Sequence, residues 1–586
     1  MKIPIHWFCP SLSLRYGCFL VTFIVLSITT HAKDLAPYEF DHFFDPSRLV
    51  KMDIEIDQAD WDKLRMQHRS LLKTLRTDIP ATEQESQFDY FPANLTIDGT
   101  DLGKVAIRKK GFVGSMDQQR PSFKIQIDKF DKKKSFAGID TLTLNNNKQD
   151  PSRVNQVIGY QVFRLAGLPA SHCNLAVVTV NGKPLGVYSN VESPDKRFIR
   201  RNFGNDDGAL FEGTIADFDE DSLIRFDRKF GKKKLEMKLT EVLEALKTTD
   251  DTLIEELGKI VDLDNFYSYW ALECLLGHWD GYVSNKNNYF VYHAPATDRI
   301  QFMPWGIDQL GEDNNIFWGR GFKPPKSVKA DGAIARRLYQ IKEGQDSYFA
   351  ALRELLDTVW KEDEWVARIE RLEEMIEPHR GSVGRNRRQT GIDLKKFISG
   401  RRAQVEAEMK EGYPEWTLAL RPGMNRIEKR GDCEIKFSFK MADLKSGRNS
   451  YVASEVEAEF KVLIDGNEIE FHSEKMAIRQ NRGWGGGSLS LQFTRPSAAE
   501  GTPSTIEVTF PKRMHPTGDP YRIDVFASPA SGRLLNGSGN VGEDGTRGAL
   551  TGTLELTAFG DTAGDQISGR LKGEFFAFIP KDTAKE

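Results

Sequence analysis

The feature that most constrains the fold of this chain is a change of hydrophobic period along its length. Met52, Ile54 and Ile56 alternate with polar residues, which predicts a half-buried strand over 50–56. Further strands are expected at 93–97, 103–111, 122–128, 140–144, 175–180 and 185–191. Asp98-Gly99 and Asn181-Gly182 stand between two pairs of these runs, a strong hairpin signal. Residues 57–67 read as a helix, and a second follows Asp150-Pro151-Ser152-Arg153, where proline and a capping residue open it. Over 230–276 and 333–409 the spacing becomes helical. There Trp365, Ile369, Leu372 and Ile376 form one stripe, and Leu352, Leu355, Leu356 and Val359 another. Strict alternation returns near Gly431, with Ile435, Phe437, Phe439 and Met441 on one face. The fold class read from this order is α+β: a mostly antiparallel sheet with one prominent helix, a helical region, and an all-β, sandwich-like C-terminal domain.

Composition bounds the function. The 586 residues carry a net charge of −4, which gives no basic footprint for nucleic acid. Lys2 and Arg15 precede a short apolar run at 18–26, and Ala32 precedes Lys33. That pattern predicts a signal peptide over 1–32 and a secreted, periplasmic or cell-surface protein. No later run is long enough to span a bilayer, so no transmembrane segment is expected after cleavage. Beyond the leader, Cys173, Cys274 and Cys433 allow at most one intramolecular disulfide; free buried thiols are expected, and no Cys/His spacing suggests zinc.

Chemistry concentrates between Gly277 and Gly311. Asp280 is followed five positions later by Asn285, then by two strand-like runs, 288–292 and 300–303, and then by Asp308 on a loop containing Trp305 and Gly306. Phosphoryl transfer uses such parts in that order: a carboxylate for the attacking hydroxyl, an amide for one metal ion, and a second carboxylate for the metal that bridges the phosphates. Protein kinases space the first pair the same way. Upstream, a Gly/Ser loop at 111–115 lies between two strands, and Lys124 sits on the second, where it could meet phosphates. Glu192, just past a strand, is open to pairing with Lys124, to nucleotide or to water. No Walker A loop is present. His278 and the apolar Phe266, Trp270 and Leu272 are expected to be packed in the core.

Taken together, the runs 107–111, 122–125, 142–146 with Asp150 and Ser152, 166–170, Asn181-Gly182 with 186–188, Glu192, the 277–311 stretch, and Phe397-Ile398 with Arg401-Arg402 resemble the CotH (spore-coat protein H) kinase-like family over about 49–409. The resemblance implies an atypical protein-kinase fold of two lobes, 49–212 and 213–412. A polar linker (33–48) would precede it; a linker (413–430) and the β-rich domain (431–586) would follow. It also implies ATP and Mg²⁺ (or Mn²⁺) as cofactors, with transfer of the γ-phosphate to Ser/Thr hydroxyls of secreted or surface proteins. By the same resemblance Asp280 is the catalytic aspartate, Lys124 the phosphate-binding lysine with Glu192 a further cofactor-side residue, and Asn285 (or Asn288) and Asp308 the metal ligands. One departure stands out: many members carry Pro-Trp-Asp-x-Asp where this chain has Pro304-Trp305-Gly306-Ile307-Asp308. Two other readings remain open, a non-catalytic surface or matrix binding protein on this scaffold and a nucleotidyl transferase.

Overall fold

The computed structural model describes residues 37–315, 317–318, 321–379, 393–419, 426–440, 450–452, 454–471, 476–481, 488–494, 503–511, 520–524, 531–536, 547–560 and 564–579. The expected signal peptide lies outside the described residues. Among the described residues, no helix is long and apolar enough to cross a membrane.

Seven strands close into a barrel: β1 (Leu49–Ile56), β2 (Phe91–Ile97), β3 (Thr100–Lys109), β4 (Phe123–Gln126), β5 (Thr141–Asn145), β6 (Cys173–Val180) and β7 (Lys183–Glu192), in the order β1-β2-β3-β4-β5-β7-β6. The closure is a parallel pairing of β1 with β6, from Leu49↔Leu175 to Ile54↔Val180. Both expected hairpins form, with Asp98 and Gly99 at φ 48° and 83° and Asn181 and Gly182 at φ 49° and 75°, the left-handed pair a two-residue turn requires. Alternate residues of each strand fill the interior, among them Ile54, Leu95, Ile107, Ile125, Leu142 and Tyr188. Residues 33–48, expected as a polar linker, are different in kind. Their described part contains the helix Pro37–Phe43, and Phe40, Phe43 and Phe44 enter the barrel core. Three aromatic side chains that close in sequence bury enough apolar surface to order the segment.

A four-stranded antiparallel sheet, ordered β11-β10-β8-β9, comes next: β8 (Ala209–Gly213), β9 (Phe226–Phe230), β10 (Tyr289–Ala294) and β11 (Arg299–Pro304). It packs with helices that include Leu263–Leu276, Lys342–Thr358, Glu362–Ile376 and Leu394–Lys410 around one large core. Phe266, Trp270 and Leu272 are fully buried in it, as are both helical stripes. Arg401 is fully buried as well. Its guanidinium pairs with Asp313 (2.9 Å) and donates to Lys326 O (2.8 Å) and to Cys274 O, while Lys326 and Lys329 also pair with Asp313. This network ties the helix Leu394–Lys410 to the chain that follows Asp308. The three described cysteines are free and buried.

The C-terminal strands are β12 (Arg426–Lys440), β13 (Ser450–Val452), β14 (Ser454–Ile464), β15 (Asn467–Glu468), β16 (Met476–Asn481), β17 (Ser488–Thr494), β18 (Pro503–Pro511), β19 (Tyr521–Ile523), β20 (Ser531–Asn536), β21 (Arg547–Ala558) and β22 (Gln566–Ile579). They make one continuous sheet, β13-β16-β17-β18-β20-β21-β22-β12-β14-β15, with β19 paired to β21. Phe437 on β12 and Phe493 on β17 have four strands between them in that order, yet their ring centroids are 5.6 Å apart. The sheet therefore folds back over its own core instead of dividing into the two separate sheets of a sandwich. Its first strand begins at Arg426, inside the segment expected as a linker.

Candidate active site

Strand alternation builds one wall of the site. Ile107 on β3 and Ile125 on β4 pair with each other and point into the barrel, so their neighbours point outward. Arg108 lies opposite Lys124, and Lys110 continues the face, its N–H donating to Ser122 O at 3.0 Å. Three cations thus share one outer face of the barrel. Facing them is Glu212 on β8, whose carboxylate pairs with Lys229 of β9 at 2.5 Å. Burial alone would raise Glu212, but Lys229, Arg69 and Lys110 hold it down at about 2. Burial, aided by Arg108 and Lys229, pushes Lys124 down to about 8 against the pull of Glu212 and Asp195. Burial also brings Lys110 to about 8, with Glu212 and Asp308 opposing and Arg108 and Lys124 assisting. Lys110 Nζ lies 5.6 Å from the centroid of the Trp305 ring.

The opposite wall is acidic. The helix Leu263–Leu276 stops at Gly277, which has φ +60°; a Cβ there would come within 2.8 Å of Phe397 and 2.9 Å of Glu312 N. The chain then turns through Asp280 into the short helix Tyr282–Asn285. Buried Glu273 supports that turn by accepting from Tyr282 N (3.0 Å), Val283 N (2.9 Å) and Tyr269 Oη (2.5 Å). Gly281 is required beside it, because a Cβ would sit 2.2 Å from Glu273 Oε1. Asp280 accepts from three amides: Asn285 Nδ2 at 2.6 Å and Asn287 Nδ2 at 3.2 Å on Oδ1, and Asn288 Nδ2 at 2.7 Å on Oδ2. Burial raises its proton affinity and the three amides oppose that rise.

Asp308 follows β11 on a loop held from both sides. Trp305 N donates to Asn288 O (3.0 Å), and Asn155 Nδ2 donates to Asp308 O (3.0 Å). Gly306 has φ +54°, and a Cβ on it would lie 2.4 Å from Asn288 Oδ1. Burial pushes Asp308 up to about 7, helped by the charges of Asp280 and Asp150 and opposed by Lys110 and by Asn145, whose Nδ2 lies 3.5 Å from Oδ2. Asp150 itself is taken up locally, accepting from Ser152 and from Asn155 N at the start of the helix Asn155–Leu165.

Lys110 joins the two walls, since it acts on both Glu212 and Asp308. Asp280, Asn285 and the Asp308 loop are joined by hydrogen bonds through Asn288, and Lys124 lies beside Lys110 on the facing wall. Glu192 is bound elsewhere: Arg201 (2.6 Å), His172 N (3.0 Å) and His172 Nδ1 (3.1 Å) occupy its carboxylate. It neither pairs with Lys124 nor faces water, and the carboxylates that act on Lys124 are Glu212 and Asp195. His278 is packed, its Nδ1 3.3 Å from Gln309 O, and burial brings it down to about 4. Sequence reasoning missed Lys110, Glu212 and Lys229; the alternation through Ile107 was the signal that could have placed Lys110 beside Lys124.

Among the described residues, no group of three or more His, Cys, Asp or Glu side chains is arranged to hold a metal ion by itself. Mg²⁺ binds through one or two carboxylates with phosphate oxygens completing its shell. Asp308 fits that use: a buried carboxyl crowded by two other acids is what a divalent cation would return to the ionised form. Asn285 Oδ1 accepts one bond, from Asn315 Nδ2 at 3.2 Å, and retains a second acceptor position.

Residues 107–397 match the family model described as CotH kinase protein. The chain is 22% identical over 264 residues to the inner spore coat protein H of Bacillus subtilis (strain 168), covering 42% of this chain and 70% of that protein. It is also 22% identical over 236 residues to invasin CotH2 of Rhizopus delemar, covering 35% of this chain and 40% of that protein. Among solved structures, the Helicobacter pylori proinflammatory kinase CtkA aligns over 46% of this chain and 90% of that one, at 8% identity and a TM-score of 0.24.

Proposed function

This chain belongs to the CotH kinase family through residues 107–397, and from that premise we propose that it is an exported, ATP-dependent protein kinase. The barrel with β8 and β9 would be the nucleotide-side lobe and the helical region the acceptor-side lobe. The observation that supports this most is the approach of the cationic barrel face to the Asp308 loop, where Lys110 Nζ lies 5.6 Å from the Trp305 ring centroid and its charge acts on Asp308, while Asp280 acts on Asp308 from the acidic wall. Lys124 and Lys110 would neutralise phosphate oxygens, in a setting where burial strengthens each charge interaction. Asp280, oriented by three amides, would align the acceptor hydroxyl and take its proton as the hydroxyl oxygen bonds to the γ-phosphorus and the bond to the β-phosphate oxygen breaks. Asp308 and Asn285 would hold a divalent cation, which supplies charge neutralisation at the phosphates. Glu192 would act at one remove, fixing Arg201 and His172 beside the end of β7.

The relatives named as a spore coat protein and an invasin are consistent with a secreted or surface substrate. The deciding experiment is transfer of labelled γ-phosphate to a generic Ser/Thr acceptor by the wild type, Asp280→Ala and Asp308→Ala, alongside thermal stabilisation by ATP and Mg²⁺. Equal labelling by all three proteins would end the kinase reading. Gly306, which leaves one carboxylate fewer on the Asp308 loop, favours a second reading, a binding scaffold without transfer. That reading requires no stabilisation by ATP and Mg²⁺. Mass spectrometry of the acceptor separates added phosphate from added nucleotide.

A further inference from the structure

The C-terminal sheet lies outside the family match, yet it reaches the loop that joins the two strands of the cationic face. Residues 111–116 form that loop between β3 and β4. Two arginines, 453 residues apart in sequence (522 − 69), approach it. Arg69 lies 4.4 Å from the centroid of the Phe112 ring, its backbone N–H points at Met116 Sδ (3.0 Å), and its charge acts on Glu212. Arg522 on β19 donates from Nη1 to Met116 O at 3.4 Å, near the carboxylates of Asp117 and Asp524 and beside Lys109 and His68, whose charged forms burial disfavours.

The segments that carry the two arginines are joined. Asp524, next to β19, accepts from Leu71 N at 3.0 Å, two residues after Arg69. The same short helix, Leu71–Thr74, docks on the sheet. Leu72 and Leu75 are buried with Ile427, Ala549 and Phe576, Thr77 N donates to Ile427 O (2.7 Å), and Lys73 pairs with Glu574. Apolar burial by five side chains with backbone bonds across it makes a stable junction, not a passing contact. The loop backbone, by contrast, makes few bonds elsewhere: Ser115 N to Phe112 O, Asp117 N to Gly114 O and Ser122 N to Ser115 O within the connection, and Asn146 Nδ2 to Gly114 O (2.9 Å) from just past β5.

We propose that the C-terminal β-domain is a brace for the phosphate-side loop: Arg522 and Asp524 are positioning residues that hold residues 111–116, and Arg69 with them, over Lys110 and Lys124. The loop is clasped between Arg69 and Arg522, and the docked sheet fixes the separation of the clasp. This rests on the kinase reading for its catalytic consequence, though not for its mechanical one.

The test uses the full chain with Arg522→Ala and Arg522→Lys, and Glu459→Gln, in an exposed pair with Lys436 on the same sheet, as a control away from the junction. Amide exchange at 112–117 should quicken about tenfold in Arg522→Ala, with strands β21 and β22 unchanged, and Arg522→Lys should restore part of the protection. KM for ATP should rise roughly fivefold with kcat little altered, the mark of lost ground-state positioning. Unchanged exchange at 112–117 overturns the brace, as does equal quickening in Glu459→Gln. Should Arg522→Ala loosen the whole sheet, Asp524→Asn is read in its place, and unchanged loop exchange there overturns it equally. A wild type that binds no ATP would sink the kinase reading, while the exchange measurement would still judge the brace.

Discussion

Asn288 and Gly306 occupy each other's space. The Asn288 amide donates to Asp280 Oδ2 at 2.7 Å, and its oxygen stands 2.4 Å from where a Cβ at 306 would be. The departure from Pro-Trp-Asp-x-Asp is thus more than a lost carboxylate, because the absent side chain makes room for the amide that orients Asp280. Gly306→Asp should accordingly fail to restore an additional metal ligand. It should destabilise the protein by about 1–3 kcal/mol, through a left-handed φ and the clash, and lower phosphate transfer rather than raise it. Thermal unfolding and initial rates at varied Mg²⁺ check both halves, and a faster Gly306→Asp enzyme would contradict them.

Asp280→Asn should keep the fold and lose transfer by about 10²–10⁴, because an amide can align a hydroxyl but cannot accept its proton. Nucleotide affinity by calorimetry should change little. A variant with intact kcat would assign the proton elsewhere.

Lys110→Ala and Lys124→Ala should each weaken ATP binding by about tenfold, and the double variant should fall short of their product. The two cations act on each other and on Glu212, and coupled neighbours do not add. Independent, multiplicative losses would mean that the two lysines serve different sites.

Lys109 sets a pH dependence with a definite sign. It is fully buried, its Nζ donates to Arg65 O at 2.5 Å, and burial, with the charge of Arg522, pushes it from 10.5 to about 6. Between about pH 6 and 10.5 the unfolded chain binds the proton more tightly than the native one, so this group's contribution to stability rises with pH across that window. The difference between Lys109→Met and wild type should therefore be most favourable to the variant near pH 6 and shrink towards pH 10. Denaturation midpoints at several pH values read the slope directly, and parallel curves would refute it.

Arg401→Ala should cost about 3–5 kcal/mol, since it leaves Asp313 short of a partner within the core and releases two backbone carbonyls. Arg401→Lys should recover little, as one ammonium cannot serve Asp313, Cys274 O and Lys326 O together. Chemical denaturation distinguishes the two variants.

Local chemistry made much of this legible in the sequence. Asp98-Gly99 and Asn181-Gly182 announced their turns, the stripe from Trp365 to Ile376 announced a buried helix face, and Asp280 and Asp308 stood out through their loops. What stayed hidden depends on contacts between distant segments. Glu212 is an unremarked residue of a short strand until β9 brings Lys229 to it and the barrel brings Lys110 and Lys124. Glu192 drew attention by its place at the end of a strand, but Arg201 and His172 claim it through a fold that no local pattern encodes. Phe40, Phe43 and Phe44 sit in a polar stretch too short to show a period, and only the barrel mouth gives them a purpose.

The parallel seam between β1 and β6 also governs how the chain comes into being. Leu49 and Leu175 are 126 positions apart (175 − 49), so β1 emerges from the ribosome long before the strand that completes it. Until then its bare margin can pair with any passing extended segment, including another nascent copy. Loop closure over that separation is slow, so the open margin persists until β6 has been made and brought back to it.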